Sequence, residues 1–267
     1  MNKIRYRIYL IALLLMAPIT VPVQAEDNST VILLQFDIAE KSIEHLYKGI
    51  EPGGNKSDAK FSGNLSSAIY GIGIAKNRFY ANLSLEQTLR SDNSYKPETG
   101  GFLDISRNDQ SLTLGYSVSK MATLFLGYKR GATLASGLSV DPDNIIPATP
   151  NSLEFVEIGP YIGGNINFSI NDTNLIGLSL AYADMDGEIN NKIDKAGGAG
   201  SGPASAEGTA DGFSLGLKWT RTVSAQTNLN IGLKFYRYKT KATDLNNLPT
   251  SFDSDYMYFT VGLNYLL

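Results

Sequence analysis

The last thirteen residues of the chain, Asp255 to Leu267 (DYMYFTVGLNYLL), constrain it most. Met257, Phe259, Val261, Leu263, Tyr265 and Leu267 fall on one alternating set, and Tyr258, Thr260, Gly262 and Asn264 on the other. Successive side chains of a strand point to opposite faces, so this segment is a strand with one oily side and one small, mostly polar side. The same alternation returns at least eight times upstream. A soluble protein of 267 residues has nothing against which to pack so many one-sided oily faces, whereas a lipid bilayer supplies the missing apolar phase. The sequence therefore predicts an all-β fold, a closed, antiparallel, up-and-down transmembrane β-barrel.

Taken in order, Thr30 to Glu40 offers Ile32, Leu34, Phe36 and Ile38 as an oily face. Ile43, Leu46, Tyr47 and Ile50 follow at helical spacing, which predicts a short amphipathic helix before Pro52. A clear hairpin comes next, with Ala68, Tyr70, Ile72 and Ile74 joined by Lys76-Asn77 to Phe79, Ala81, Leu83, Leu85 and Leu89. Leu112 to Val118 and Ala122 to Tyr128 form a second, turning at Ser119-Lys120. Val156 to Phe168 and Ile176 to Tyr182 form a third around Asn171-Asp172-Thr173, with Pro160 predicted to mark a bulge because it cannot donate to the ladder. Phe213 to Trp219 and Leu229 to Phe235 turn at Ser224 to Thr227. The remaining connections, Ser91 to Gly101, Ser136 to Ser152, Met185 to Ala210 and Leu245 to Asp253, read as loops.

Short turns belong on the periplasmic side and long loops outside. Nine clear strands with the last descending require one more ascending strand at the start, so ten are expected; eight, with one pair outside the membrane, is the alternative. Tyr70, Tyr116, Tyr128, Tyr182, Trp219 and Tyr265 suit aromatic girdles.

The C-terminal T-V-G-L-N-Y-L-L resembles the barrel-targeting signal of bacterial outer-membrane β-barrel proteins, with Thr260, Gly262, Tyr265 and Leu267 in the signal's places and Leu where most members end in Phe or Trp. The resemblance is to the superfamily and implies recognition by the barrel assembly machinery and insertion into the outer membrane. The N-terminus agrees: Lys3, Arg5 and Arg7, the apolar run Ile8 to Ala17, and Val23-Gln24-Ala25 read as a signal peptide over residues 1–25, leaving a single barrel domain over 26–267. Its removal takes three positive charges and moves the net charge from −3 to −6, which argues against nucleic acid as a partner. With no cysteine there is no disulfide, thiol nucleophile or thiolate metal site.

Glu86, Lys129, Glu157, Lys218 and Lys234 are expected to point into the lumen. They read either as a selectivity-setting polar passage or as an ion-pair network filling a narrow barrel, and ten strands lie near the filled end of the size range. The one histidine, His45, would need an acid or serine at the outer rim to act in catalysis, and no partner stands at motif-like spacing. Asp141 and Asp143, and Asp184, Asp186 and Glu188, read as solvated loop or rim carboxylates without the pattern of a calcium loop. Arg130, Arg237, Lys239 and Lys241 stand where lipopolysaccharide phosphates would lie. No cofactor motif is present. The expectation is a non-enzymatic surface barrel whose loops meet extracellular partners, with a narrow channel for ions or small solutes, or a rim hydrolase acting on lipid or peptide, as alternatives.

Overall fold

The computed structural model describes residues 30–50, 56–92, 103–139, 149–193, 204–244 and 249–267; the signal-peptide segment lies outside them. Ten strands follow in order: β1 (Thr30–Ile50), β2 (Lys56–Lys76), β3 (Phe79–Asp92), β4 (Leu103–Ser117), β5 (Ala122–Ser139), β6 (Thr149–Asn171), β7 (Asn174–Ile193), β8 (Ala204–Thr222), β9 (Thr227–Asp244) and β10 (Pro249–Leu266). Each pairs antiparallel with its chain neighbours, and β1 pairs with β10 from Leu33↔Leu266 to Lys48↔Ser251, so the sheet closes into a ten-stranded barrel. Closure leaves no unpaired edge, which a strand needs in lipid, where water cannot satisfy its amides.

Four tight turns gather at one end. Asn77, at φ 55°, carries the left-handed residue of the β2–β3 turn, a conformation that asparagine tolerates. In the β6–β7 turn the Asn171 side-chain carbonyl accepts from the backbone amides of Thr173 and Asn174 at 3.0 and 2.9 Å.

The outer wall near this end is a continuous apolar band. Ile72, Leu126, Ile162 and Leu180 are each more than half exposed, which only a lipid phase makes favourable. Tyr116, Trp219 and Tyr265 point outward at its lower edge, and Tyr70, Tyr128 and Tyr182 at its upper edge. The strands run from 14 to 23 residues, whereas a tilted strand crosses a bilayer in about ten. Their upper halves therefore stand clear of the membrane, on the side away from the tight turns.

Several expectations from the sequence are corrected here, and one physical cause accounts for most. Above the band the alternation inverts: the wall faces water, so apolar side chains turn inward. Ile43, Leu65, Ile105, Phe155, Met185 and Ile189 are all buried inside the barrel. The segment Ile43 to Ile50 is not a helix but the upper part of β1; a phase change within one strand imitated helical spacing. The expected loops are shorter because β3, β5 and β7 continue upward into them and β6, β8 and β10 begin within them. Asp184, Asp186 and Glu188 stand on the outer face of β7 rather than in a loop, while Asp141 and Asp143 lie outside the described residues. Pro160 introduces no bulge. Ile158↔Asp186 and Tyr161↔Ala183 keep one register, and the ladder to β7 simply lacks the intervening pairs; Pro160 itself faces outward opposite Tyr128.

Candidate functional site: the braced lumen

Inner positions of β4 carry Ile105, Arg107, Asp109, Ser111 and Thr113. Arg107 is 1% exposed and its guanidinium is the hub of the interior. Nη1 donates to Tyr256 Oη at 2.5 Å and to Thr133 Oγ1 at 2.7 Å; Nη2 lies 2.9 Å from Asp109 Oδ1 and 3.3 Å from Glu157 Oε2. Lys129 Nζ adds a contact of 3.3 Å to Asp109 Oδ2, and Tyr258 Oη donates to the same oxygen at 3.5 Å. Burying charges costs several kcal/mol per ion unless they are paired and hydrogen-bonded, and Arg107 answers that demand with a fork of donors shared between two carboxylates. Gly131 makes the arrangement possible: a Cβ there would run into both the guanidinium and the Asp109 carboxylate.

On the ring of ten strands, β4 and β10 stand four places apart, so the Arg107–Tyr256 bond crosses the lumen. Lys129 on β5 reaches the face of Tyr236 on β9, 4.5 Å from its centroid, across the same gap. Lys41 on β1 pairs with Glu86 on β3 and lies 4.6 Å from the Tyr258 ring centroid. Above this charged brace is an aromatic layer. Phe155 and Phe252 stack with centroids 3.5 Å apart, and His45 stacks on Phe252 at 4.8 Å.

A cavity of about 130 Å³ runs below and beside the brace, lined by Lys218, Lys234, Asn230 and Asp37 and also by Asp109 and Lys129 of the brace itself. Neither Lys218 nor Lys234 stands in an ion pair among the described residues. Interior cations there are Lys41, Arg107, Lys129, Lys218 and Lys234; interior carboxylates are Asp37, Glu86, Asp109 and Glu157. The five expected lumen residues thus divide: Lys129 and Glu157 join the brace, Glu86 neutralises Lys41, and the two β8 and β9 lysines face the cavity. Arg107, Asp109, Lys41 and Asp37 were missed by the sequence reading, although extending the inner set Ser111 and Thr113 backward by twos reaches Asp109 and Arg107.

His45 lies inside the barrel, not at a rim. Its Nδ1 is 3.0 Å from Ser254 Oγ, but the two residues are 0% and 1% exposed, so no substrate carbonyl meets that hydroxyl. On the outside, Arg237 holds Asp255 through two bonds of 2.7 Å, and Lys239 stands directly opposite Asp211. The basic column on β9 is therefore flanked by acids on both sides. Among the described residues no group of three His, Asp or Glu side chains is placed to hold a metal. Of the C-terminal signal residues, Thr260 and Gly262 face inward, and Tyr265 and Leu267 face outward.

The fold is similar to that of a solved structure, the outer membrane protease OmpT from Escherichia coli. The TM-score is 0.61 at 16% identity, over 91% of this chain and 98% of that one. This is the fold of a bacterial outer-membrane β-barrel. Two further likenesses are looser. The outer membrane protein OprG from Pseudomonas aeruginosa has a TM-score of 0.45 at 11% identity, over 90% of this chain and 97% of that one. The translocator domain of the autotransporter NalP from Neisseria meningitidis has a TM-score of 0.44 at 14% identity, over 86% and 88%. The sequence matches no protein-family model and no curated protein. At this identity the likeness concerns the barrel and not any residue's role.

Proposed function

We propose that this protein is a non-enzymatic, non-conducting barrel of the bacterial outer membrane that serves as a rigid stand for surface interactions. One observation carries the reading: side chains from opposite walls meet across the lumen, through Arg107 and Tyr256 in the brace and Phe155 and Phe252 above it. An open pore needs a continuous wet path, and a barrel of this strand number has little interior to spare. Its strands rise well past the membrane, which carries their upper ends away from the lipid surface, toward extracellular partners and lipopolysaccharide.

The fold shared with a protease does not extend that activity here, because one barrel hosts unrelated chemistries, and the His45–Ser254 pair is sealed from solvent. Single-channel recording of refolded protein in planar bilayers tests the proposal. Silent membranes containing demonstrably inserted protein are expected. Reproducible steps that scale with salt and change on charge reversal at Lys218 or Lys234 would replace it with a narrow channel for ions or small solutes.

A further inference from the structure

We propose that the outer wall of β5 and β6, just above the membrane, is the contact surface of a two-fold symmetric dimer of this chain. Above the tyrosine girdle the outward positions of β7 to β10 are polar or charged, as water demands: Asp184, Asp186 and Glu188 on β7, Thr209 and Asp211 on β8, Lys239 and Lys241 on β9, Asp253 and Asp255 on β10. The wall of β5 and β6 departs from this. There Ala132 and Leu134 stand beside Val156 and Ile158, in the registers Ala132↔Val156 and Arg130↔Ile158. Val156 is buried among its neighbours, and Leu134 is 40% exposed. An apolar patch above the reach of acyl chains and rimmed by charges marks a protein contact.

The rim identifies the partner. One outward row reads Arg130 on β5, Ile158 on β6 and Asp186 on β7, through Arg130↔Ile158 and Ile158↔Asp186. A base therefore lies on one flank of the patch and an acid on the other, with Asp184 and Glu188 at the next outward positions below and above Asp186. Two copies inserted the same way share the membrane normal, so a two-fold axis between them runs along it. Half a turn about an axis in front of Ile158 lays β5 of each copy against β7 of the other. Arg130 of each then faces the carboxylate column of its mate, and Ile158 meets its own symmetry mate, as an isologous contact requires. Strand tilt offsets the two flanks in height, and three successive outward carboxylates leave one level with Arg130 in either direction.

Within one chain these charges are not used. Neither Arg130 nor Asp186 stands in an ion pair among the described residues. Asp184↔Asp211 and Glu188↔Glu207 set carboxylates directly opposite each other across β7 and β8, which is destabilising until a cation is brought to them. Lys239 on β9 stands opposite Asp211, but the β6 flank of the column offers Val156 and Ile158 and no base. A second copy supplies the missing base and an apolar cover together.

Refolded protein in vesicles and in detergent tests this. The sequence holds no cysteine, so an introduced thiol reports its own contact. Ile158→Cys is expected to give a disulfide-linked dimer on mild oxidation; Ser42→Cys, outward on β1 and five strands away around the ring, is not. Sedimentation should show a dimer, and Arg130→Glu should weaken it about tenfold or more, the scale of turning an attraction into a like-charge contact. The triple variant Asp184→Lys, Asp186→Lys, Glu188→Lys should do the same. An equimolar mixture of the two variants should dimerise again, because each supplies the charge that the other has lost. Each variant is scored with the folded band on an unheated detergent gel retained, and should the triple variant misfold, Arg130→Glu and the Ile158→Cys link decide alone. A monomer at every protein density overturns the proposal. So does a dimer that Ile158→Cys does not link, a dimer indifferent to Arg130→Glu, a mixture that stays monomeric, or linking at Ser42→Cys as ready as at Ile158→Cys.

Discussion

Phe155 on β6 and Phe252 on β10 lie face to face across the barrel, their centroids 3.5 Å apart and their planes within 8° of parallel. Both are at most 2% exposed, and His45 from β1 stacks on the pair. Two walls of the barrel are thereby joined by a contact that neither strand makes through its backbone.

Phe252→Ala removes that contact. A large-to-small change of a buried aromatic costs about 3–5 kcal/mol, so the thermal midpoint, read by the loss of the fast-migrating folded band, should fall clearly. Conductance should stay silent, because the Arg107 brace closes the lumen independently below. Steps in the variant but not in the unaltered protein would show that the aromatic layer alone forms the seal.

Arg107→Met leaves Asp109 and Glu157 facing each other in the interior with Lys129 as the remaining cation of the brace. Breaking one member of a buried charge network costs about 3–5 kcal/mol. The double variant Arg107→Met, Glu157→Gln should recover part of this, since one orphaned charge is gone. Denaturant unfolding in lipid vesicles gives the coupling from the four-variant cycle. A double variant no more stable than Arg107→Met would mean that Glu157 is not held by Arg107.

The outer wall gives a prediction about position. Leu126→Arg, in the apolar band, should cost about 2–4 kcal/mol, the penalty of a cation at lipid depth. Thr209→Arg, equally outward on β8 but opposite Asp186 above the band, should change stability little. Urea unfolding in vesicles of both variants decides it. Equal penalties would move the membrane boundary upward to include Thr209.

His45→Ala should lower stability through lost stacking on Phe252 and the lost edge-to-face contact with Tyr256, and should leave any peptide- or ester-cleaving activity of the purified protein unchanged. Loss of such an activity, with the folded gel band intact, would make the His45–Ser254 pair a reactive one and require an opening of the lumen from above.

Much of the barrel was legible because lipid imposes a simple rule. In β10 every outward residue from Met257 to Tyr265 is apolar or aromatic and every inward one is polar, small or tyrosine. The same rule marks an inner face carrying Glu86, Lys129, Lys218 and Lys234, side chains that line the lumen. Legibility failed where the rule changed. Above the band, Met185 and Ile189 turn inward and Asp184 and Asp186 outward. That is an ordinary alternation with its phase reversed, and among Gly, Ala and Asp it reads as a loop.

The alternating pattern, set by a bilayer on one side and side-chain packing on the other, by itself determined a β-barrel and the end at which its tight turns lie, and it favoured ten strands over eight; the closed sheet decided that number. Which inward residues meet was decided only by closure. Arg107 and Tyr256 are separated by 149 positions in the chain, and no local pattern records such a distance. Strand number and register set the width across which a guanidinium reaches a phenol, and both are properties of the closed sheet. Lys129 and Tyr236 have the same origin: both are written in the sequence, but the ammonium meets the ring only once β5 and β9 face each other across the closed barrel.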